Sequence, residues 1–124
     1  MLFLFIGYYD AEKMNQSSQQ ELDAVMERCN PPLETFFTKL NVLSEWYPGA
    51  ETKRARLLDG QIQHQDGPDP DKMEQIGSLI VFEADDMEQA VDLALLHPTT
   101  QLPEAQKYGW RMEVRPLIDP KEAK

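Results

Sequence analysis

Apolar positions along this chain repeat with two different periods, and the switches between the periods mark its elements. Leu2 to Tyr9 is an uninterrupted apolar and aromatic run, the pattern of a strand buried on both faces. Ser18-Gln-Gln-Glu21 then forms a capping box, with Ser18 placed to accept from backbone amides and Glu21 to reach back. The apolar residues that follow, at 22, 25, 26, 29, 33, 36, 37 and 40, keep one helical phase. Pro31 and Pro32 lie inside that stripe, where a proline removes a hydrogen bond and crowds the preceding turn. Because the phase is unbroken, the pattern predicts one helical layer with a kink there, or a restart capped by Asn30. Asn41 is suited to the left-handed position that ends such a helix.

The second half is strand-rich. Val42 to Tyr47 is short and apolar, and Pro48-Gly49 turns the chain. Lys53–Leu58 and Gln61–Gln65 flank Asp59-Gly60, a two-residue hairpin signal. Asp66 to Asp71 is dense in turn residues, and Ile76 to Ala84 is a second buried strand. Asp85 and Glu88 make another capping box, and Met87, Ala90, Val91, Ala94 and Leu95 form a helical face that stops at His97-Pro98. After a polar loop, Tyr108 to Arg115 alternates: Trp110, Met112 and Val114 point one way, Arg111, Glu113 and Arg115 the other. Leu117 to Lys124 reads as a frayed tail, so residues 1–117 form a single domain with a flexible stretch over 118–124.

This order, β-α-β-β-β-β-α-β, fits an α+β ferredoxin-like antiparallel sheet with two helices on one face and an inserted β-hairpin. The sheet's other face needs cover, and the row Trp110, Met112 and Val114 suggests a homodimer packed through it. With 124 residues the chain has the length of one domain.

Composition excludes more than it suggests. Twenty-two acidic against 12 basic residues give a formal charge of −10, which repels phosphate backbones and anionic membranes, so neither is expected as a partner. Cys29 is the single cysteine and falls on the apolar helical stripe, so it reads as core and calls for no oxidising compartment. The apolar start, Met1 to Ile6, is too short to span a bilayer and lacks the features of a signal peptide, which suits a cytoplasmic protein.

Leu58-Asp-Gly-Gln-Ile-Gln-His-Gln-Asp66-Gly67-Pro68, followed by Lys72 and Ile76-Gly77-Ser78-Leu79, resembles the YCII-related, or DGPF-domain, family of small bacterial proteins. Glu83 to Ala90, His97-Pro98 and Glu113-Val-Arg-Pro116 are similar to the family's strand end, helix end and closing strand. Asp69 departs from the family's usual Phe and Ser78 from its second Gly. The resemblance implies a ferredoxin-like dimer of the dimeric α+β barrel type. It also implies a His–Asp acid/base site in a cleft, and only Asp66 and His97 stand at matching positions.

A carboxylate beside an imidazole holds its tautomer and raises its basicity, which suits proton transfer near neutral pH. His97 at a helix C-terminus would be further favoured in its protonated form, so its pKa is expected to rise. The structural alternative has Asp66 opening an Asx turn and His97 capping last-turn carbonyls. His64, alternating with Ile62, is a rival partner for Asp66 that is expected to face solvent. Asp66, Asp69, Asp71 and Glu74 lack the spacing of a calcium loop and read as solvated turn carboxylates; no metal or cofactor pattern is present. Tyr8, Tyr9, Trp46, Tyr47, Tyr108 and Trp110 are candidates to line a cavity, or else core. These features point to a cofactor-free enzyme acting on a small organic molecule through His97 and Asp66, or to a non-catalytic ligand-binding or regulatory dimer.

Overall fold

A computed structural model describes residues 1–122 of the chain; of the expected tail, residues 123 and 124 lie outside the described residues. Its elements are β1 (Leu2–Asp10), α1 (Ala11–Asn15), α2 (Gln19–Lys39), β2 (Asn41–Trp46), β3 (Lys53–Leu58), β4 (Gln61–Asp66), β5 (Glu74–Glu83), α3 (Met87–Ala94), α4 (Pro98–Gln101), α5 (Glu104–Lys107) and β6 (Arg111–Pro116). Four strands form an antiparallel sheet in the order β2-β5-β1-β6, and β3 with β4 forms a separate two-stranded sheet. Without that hairpin the chain is βαββαβ with its first and third strands in the centre, the expected ferredoxin-like α+β arrangement. No helix among the described residues is long and apolar enough to cross a membrane.

The run from Leu2 to Tyr9 is apolar throughout because β1 is flanked by β5 and β6 and has two faces to cover. Phe3 and Phe5 are fully buried on one face, and Ile6 is buried on the other.

Both arms of the capping box open α2: Ser18 Oγ accepts from Glu21 N–H at 3.1 Å, and Glu21 Oε1 accepts from Ser18 N–H at 3.3 Å. The helix then runs for 21 residues through both prolines, so the restart at Asn30 does not occur. A proline inside a helix costs roughly 3 kcal/mol. Fully burying a large apolar side chain returns about 1.5–3 kcal/mol, and the stripe seats Val25, Cys29, Phe36 and Leu40 in the interior. Leu40, in extended conformation, ends the helix with its N–H on Phe36 O at 3.0 Å. Asn41 is therefore not left-handed as expected. It enters β2 directly, where its Nδ2 donates to Glu83 Oε2 at 2.8 Å.

α3 is capped one residue later than the pattern suggested. Asp86 Oδ1 accepts from Gln89 N–H at 2.8 Å, and Gln89 Oε1 accepts from Asp85 N–H at 2.6 Å. Gln89 performs the return contact expected of Glu88. The expected polar loop after His97 instead holds the short helices α4 and α5.

Two cores lie between helices and sheet. One gathers Phe3, Phe5, Phe36, Ile80, Phe82, Ala90 and Ala94 beneath α3 and the C-terminal half of α2. The other gathers Val25, Cys29 and Tyr108 with Met14, Leu22, Leu33, Leu102 and Trp110 around the N-terminal half of α2. Met112 and Val114 pack against the first core. The row expected to face a partner is thus on the helix-covered side, and Trp110 is in the second core. The opposite sheet face carries Leu4, Ile6, Leu79 and Val81 as cross-strand partners on β1 and β5.

The hairpin turns through Asp59 (φ 53°) and Gly60 (φ 77°), the paired left-handed residues of a two-residue turn. It bonds to neither edge of the large sheet, and Leu57 and Ile62 remain exposed on it.

Candidate functional site

A cavity of about 290 Å³ opens where the two cores meet. Its floor is a fault in the sheet. Gly7 pairs with Ser78, but Tyr8 pairs with Ile76, which leaves Gly77 as an extra residue on β5. A Cβ on Gly7 would lie 2.5 Å from Ser78 Oγ and 3.3 Å from the Phe5 ring, so glycine is what keeps this floor open. Ser78 is buried at 7% exposure and lines the cavity. Its hydroxyl has no hydrogen bond among the described residues, yet it is not among the atoms sealed from solvent.

Met14 from α1 and Met26, Cys29 and Leu33 from α2 form the roof. Burial pushes the Cys29 thiol pKa up, with the Glu104 carboxylate adding to it, which fits the core role expected of it. Four of the six candidate aromatics, Tyr8, Tyr9, Tyr47 and Trp110, line the cavity. Tyr108 is instead buried in the second core, 2.9 Å from Ser17 Oγ through its hydroxyl, and Trp46 is exposed. Tyr47 donates to Glu45 Oε2 at 2.8 Å; burial first, then that carboxylate, pushes its pKa up to about 12.

His97 stands in the cavity wall. Its backbone N–H donates to Ala94 O at 3.1 Å, but its side chain turns toward the next helix as the N-cap of α4. Nδ1 accepts from Thr99 N–H at 3.2 Å and lies 3.2 Å from Thr99 Oγ1. The ring packs on Phe5, with centroids 4.6 Å apart, and edge-on against Phe36 at 5.0 Å. The expected rise in its pKa is overturned: burial lowers it to about 4. The reason is that the ring enters an apolar seam and caps amides, not the carbonyls that would favour a cation. A neutral imidazole whose Nδ1 accepts carries its proton on Nε2. His97 is therefore a hydrogen-bond donor at Nε2 and a poor base near neutral pH.

Asp66 is the last residue of β4, 83% exposed at its side chain, and bonds Lys53 Nζ at 2.8 Å. It does not line the cavity, and no hydrogen bond among the described residues joins it to His97. The Asx turn expected at Asp66 is made by Asp69 instead, whose Oδ1 accepts from Asp71 N–H at 3.0 Å. Glu74 forms a two-pronged contact with Arg111 at 2.5 and 2.6 Å, across β1. His64 is exposed opposite Ala55. Among the described residues no three His, Cys, Asp or Glu side chains are grouped to hold a metal ion.

Thr99 and Gly7 carry no site expectation from the pattern, and Ser78 stands out there only as a departure from the family's second Gly. Gly7, the lone small residue in a run of large apolar ones, was the available signal.

Fold and cavity define a ferredoxin-like α+β domain with an apolar recess, of ligand size, between helices and sheet. The chain belongs to the YCII-related family, whose YCII-related domain model matches residues 1–109. The match stops short of β6, which nevertheless completes the sheet beside β1. No curated protein matches the chain.

Proposed function

We propose that this YCII-related protein binds a small, mostly apolar organic molecule in the recess, as a cytoplasmic dimer packed through its open sheet faces. One observation carries the binding reading. An apolar cavity of about 290 Å³ has among its polar lining side chains Ser78 and His97, whose Oγ and Nε2 make no hydrogen bond among the described residues. A few polar groups in an apolar concavity are the usual make-up of a small-molecule site.

The second reading makes the same recess catalytic, with His97 and Asp66 moving a proton to and from the ligand. It draws on the family resemblance. It requires Asp66 to arrive from a second copy, because within one chain that carboxylate does not line the recess. The free-standing hairpin, with Leu57 and Ile62 exposed, is the feature that favours such delivery.

The binding reading is tested by following methyl resonances of Met14 and Met26 while titrating a library of small aromatic compounds. Hits should shift both methyls, and Leu33→Trp, which fills the roof, should abolish the shifts. Shifts that persist in the filled variant would place binding elsewhere. For the catalytic reading, a hit should be turned over, with loss on His97→Asn and on Asp66→Asn but not on His64→Asn.

A further inference from the structure

We propose that the recess selects an uncharged molecule carrying oxygen acceptors, such as an aromatic ketone, anchored by His97 Nε2–H and the Ser78 hydroxyl. This rests on the binding reading above and specifies the class of ligand.

The lining contains no Lys, Arg, Asp or Glu. An anion entering it would lose water and meet no cation, and the chain's formal charge of −10 adds a repulsive field. A cation would find no carboxylate. The recess therefore discriminates against anions and offers a cation no ion pair.

Polarity within the neutral class is set by His97. The Thr99 amide occupies Nδ1 at 3.2 Å, and the ring is held between Phe5 and Phe36, so it cannot present an acceptor by flipping. What it offers a ligand is a donor. Burial of the ring keeps it neutral, so this donor brings no positive charge that would recruit a carboxylate.

Ser78 supplies the second anchor. It is more than nine-tenths buried, its hydroxyl is unpartnered, and that hydroxyl stands against the space left by the missing side chain of Gly7. The Phe5 ring connects the two anchors, lying beside the Gly7 position and against the His97 imidazole. A hydrocarbon would dehydrate both groups and satisfy neither, which is the costly half of hydrogen-bond exchange.

Three probes of similar shape test this at pH 7: acetophenone, ethylbenzene and benzoate, each titrated against the whole chain by ligand-observed NMR. Acetophenone should bind about tenfold more tightly than the other two, the effect of one or two buried hydrogen bonds. Ser78→Ala and His97→Phe should each weaken acetophenone by about fivefold to tenfold and should not weaken ethylbenzene, whose dehydration cost they remove. Should His97→Phe not fold, Ser78→Ala decides, since it removes one atom. Benzoate binding as tightly as acetophenone, or an acetophenone-to-ethylbenzene ratio unmoved by Ser78→Ala, overturns the proposal. Equal binding of all three overturns it while the cavity reading stands. Absence of binding by all three overturns both.

Discussion

The imidazole of His97 accepts the backbone N–H of Thr99 at 3.2 Å, which makes one side chain both the cap of α4 and a wall of the cavity. Protonation at Nδ1 would break that cap, and burial among Phe5 and Phe36 opposes the charge as well. Both effects favour the neutral ring in the folded chain.

A pH dependence follows. The folded pKa of about 4 lies below the ordinary imidazole value of 6.5, so between these limits the unfolded chain binds the extra proton. The stability contributed by the neutral ring is fully present above pH 6.5 and is lost as pH falls toward 4. That loss is roughly 3.5 kcal/mol at most, from about 1.4 kcal/mol per pH unit. Urea midpoints at pH 7, 5 and 4 should fall more steeply for the wild type than for His97→Asn, which keeps a capping acceptor but does not titrate. Parallel curves would show that His97 is not the group responsible.

Most of this fold is legible in the amino-acid pattern because the strongest signals are local and repeated. The Ser18–Glu21 box, the stripe from Leu22 to Leu40 and the Asp59-Gly60 turn each depend on residues close in sequence. The site is less legible because it depends on register. Gly7 faces Ser78 only because the slip at Gly77 sets that pairing, and no local period reports a slip between strands 70 residues apart. The orientation of β6 differs from expectation for a related reason. Alternation separates Met112 and Val114 from Arg111, Glu113 and Arg115, but it does not say which set lies under the helices. His97 departs from expectation because Pro98, which the pattern marks as the end of one helix, is also the first residue of the next.

Gly7 and Ser78 should be energetically coupled. Gly7→Ala puts a Cβ at 2.5 Å from Ser78 Oγ, which the hydroxyl must vacate. Overpacking of this kind costs about 1–3 kcal/mol. In the background of Ser78→Gly the clash partner is gone, so the cost of Gly7→Ala should fall by more than 0.5 kcal/mol or so, a coupling typical of touching residues. A double-mutant cycle in urea measures it; additive effects would refute the contact.

The hairpin should behave as a separate unit. Gly60 sits at φ +77°, where a Cβ costs about 1–2 kcal/mol. Because β3 and β4 bond to neither edge of the large sheet, Gly60→Ala should speed amide exchange from residue 53 to 66 and leave exchange in β1 and β5 unchanged. Uniform acceleration throughout the chain would mean that the hairpin is part of the global unit.

Assembly supplies the last test, and it distinguishes the two faces of the sheet. Leu4 pairs with Val81 and Ile6 with Leu79 on the face away from the helices. Trp46 is 64% exposed on the β2 edge, and Arg111, Glu113 and Arg115 form a charged margin on β6. An apolar centre with a polar rim is the make-up of a protein–protein interface, and a two-fold pairing would cover this face without any further element. Light scattering at micromolar concentration should therefore report about twice the 14.3 kDa chain mass. Val81→Lys should give a folded monomer, because this side chain is only partly buried within one chain. Val114→Lys should instead unfold the protein, because that residue packs against the core beneath the helices. A wild-type chain that stays at 14.3 kDa would sink the dimer, and a folded monomeric Val114→Lys would reverse the assignment of faces.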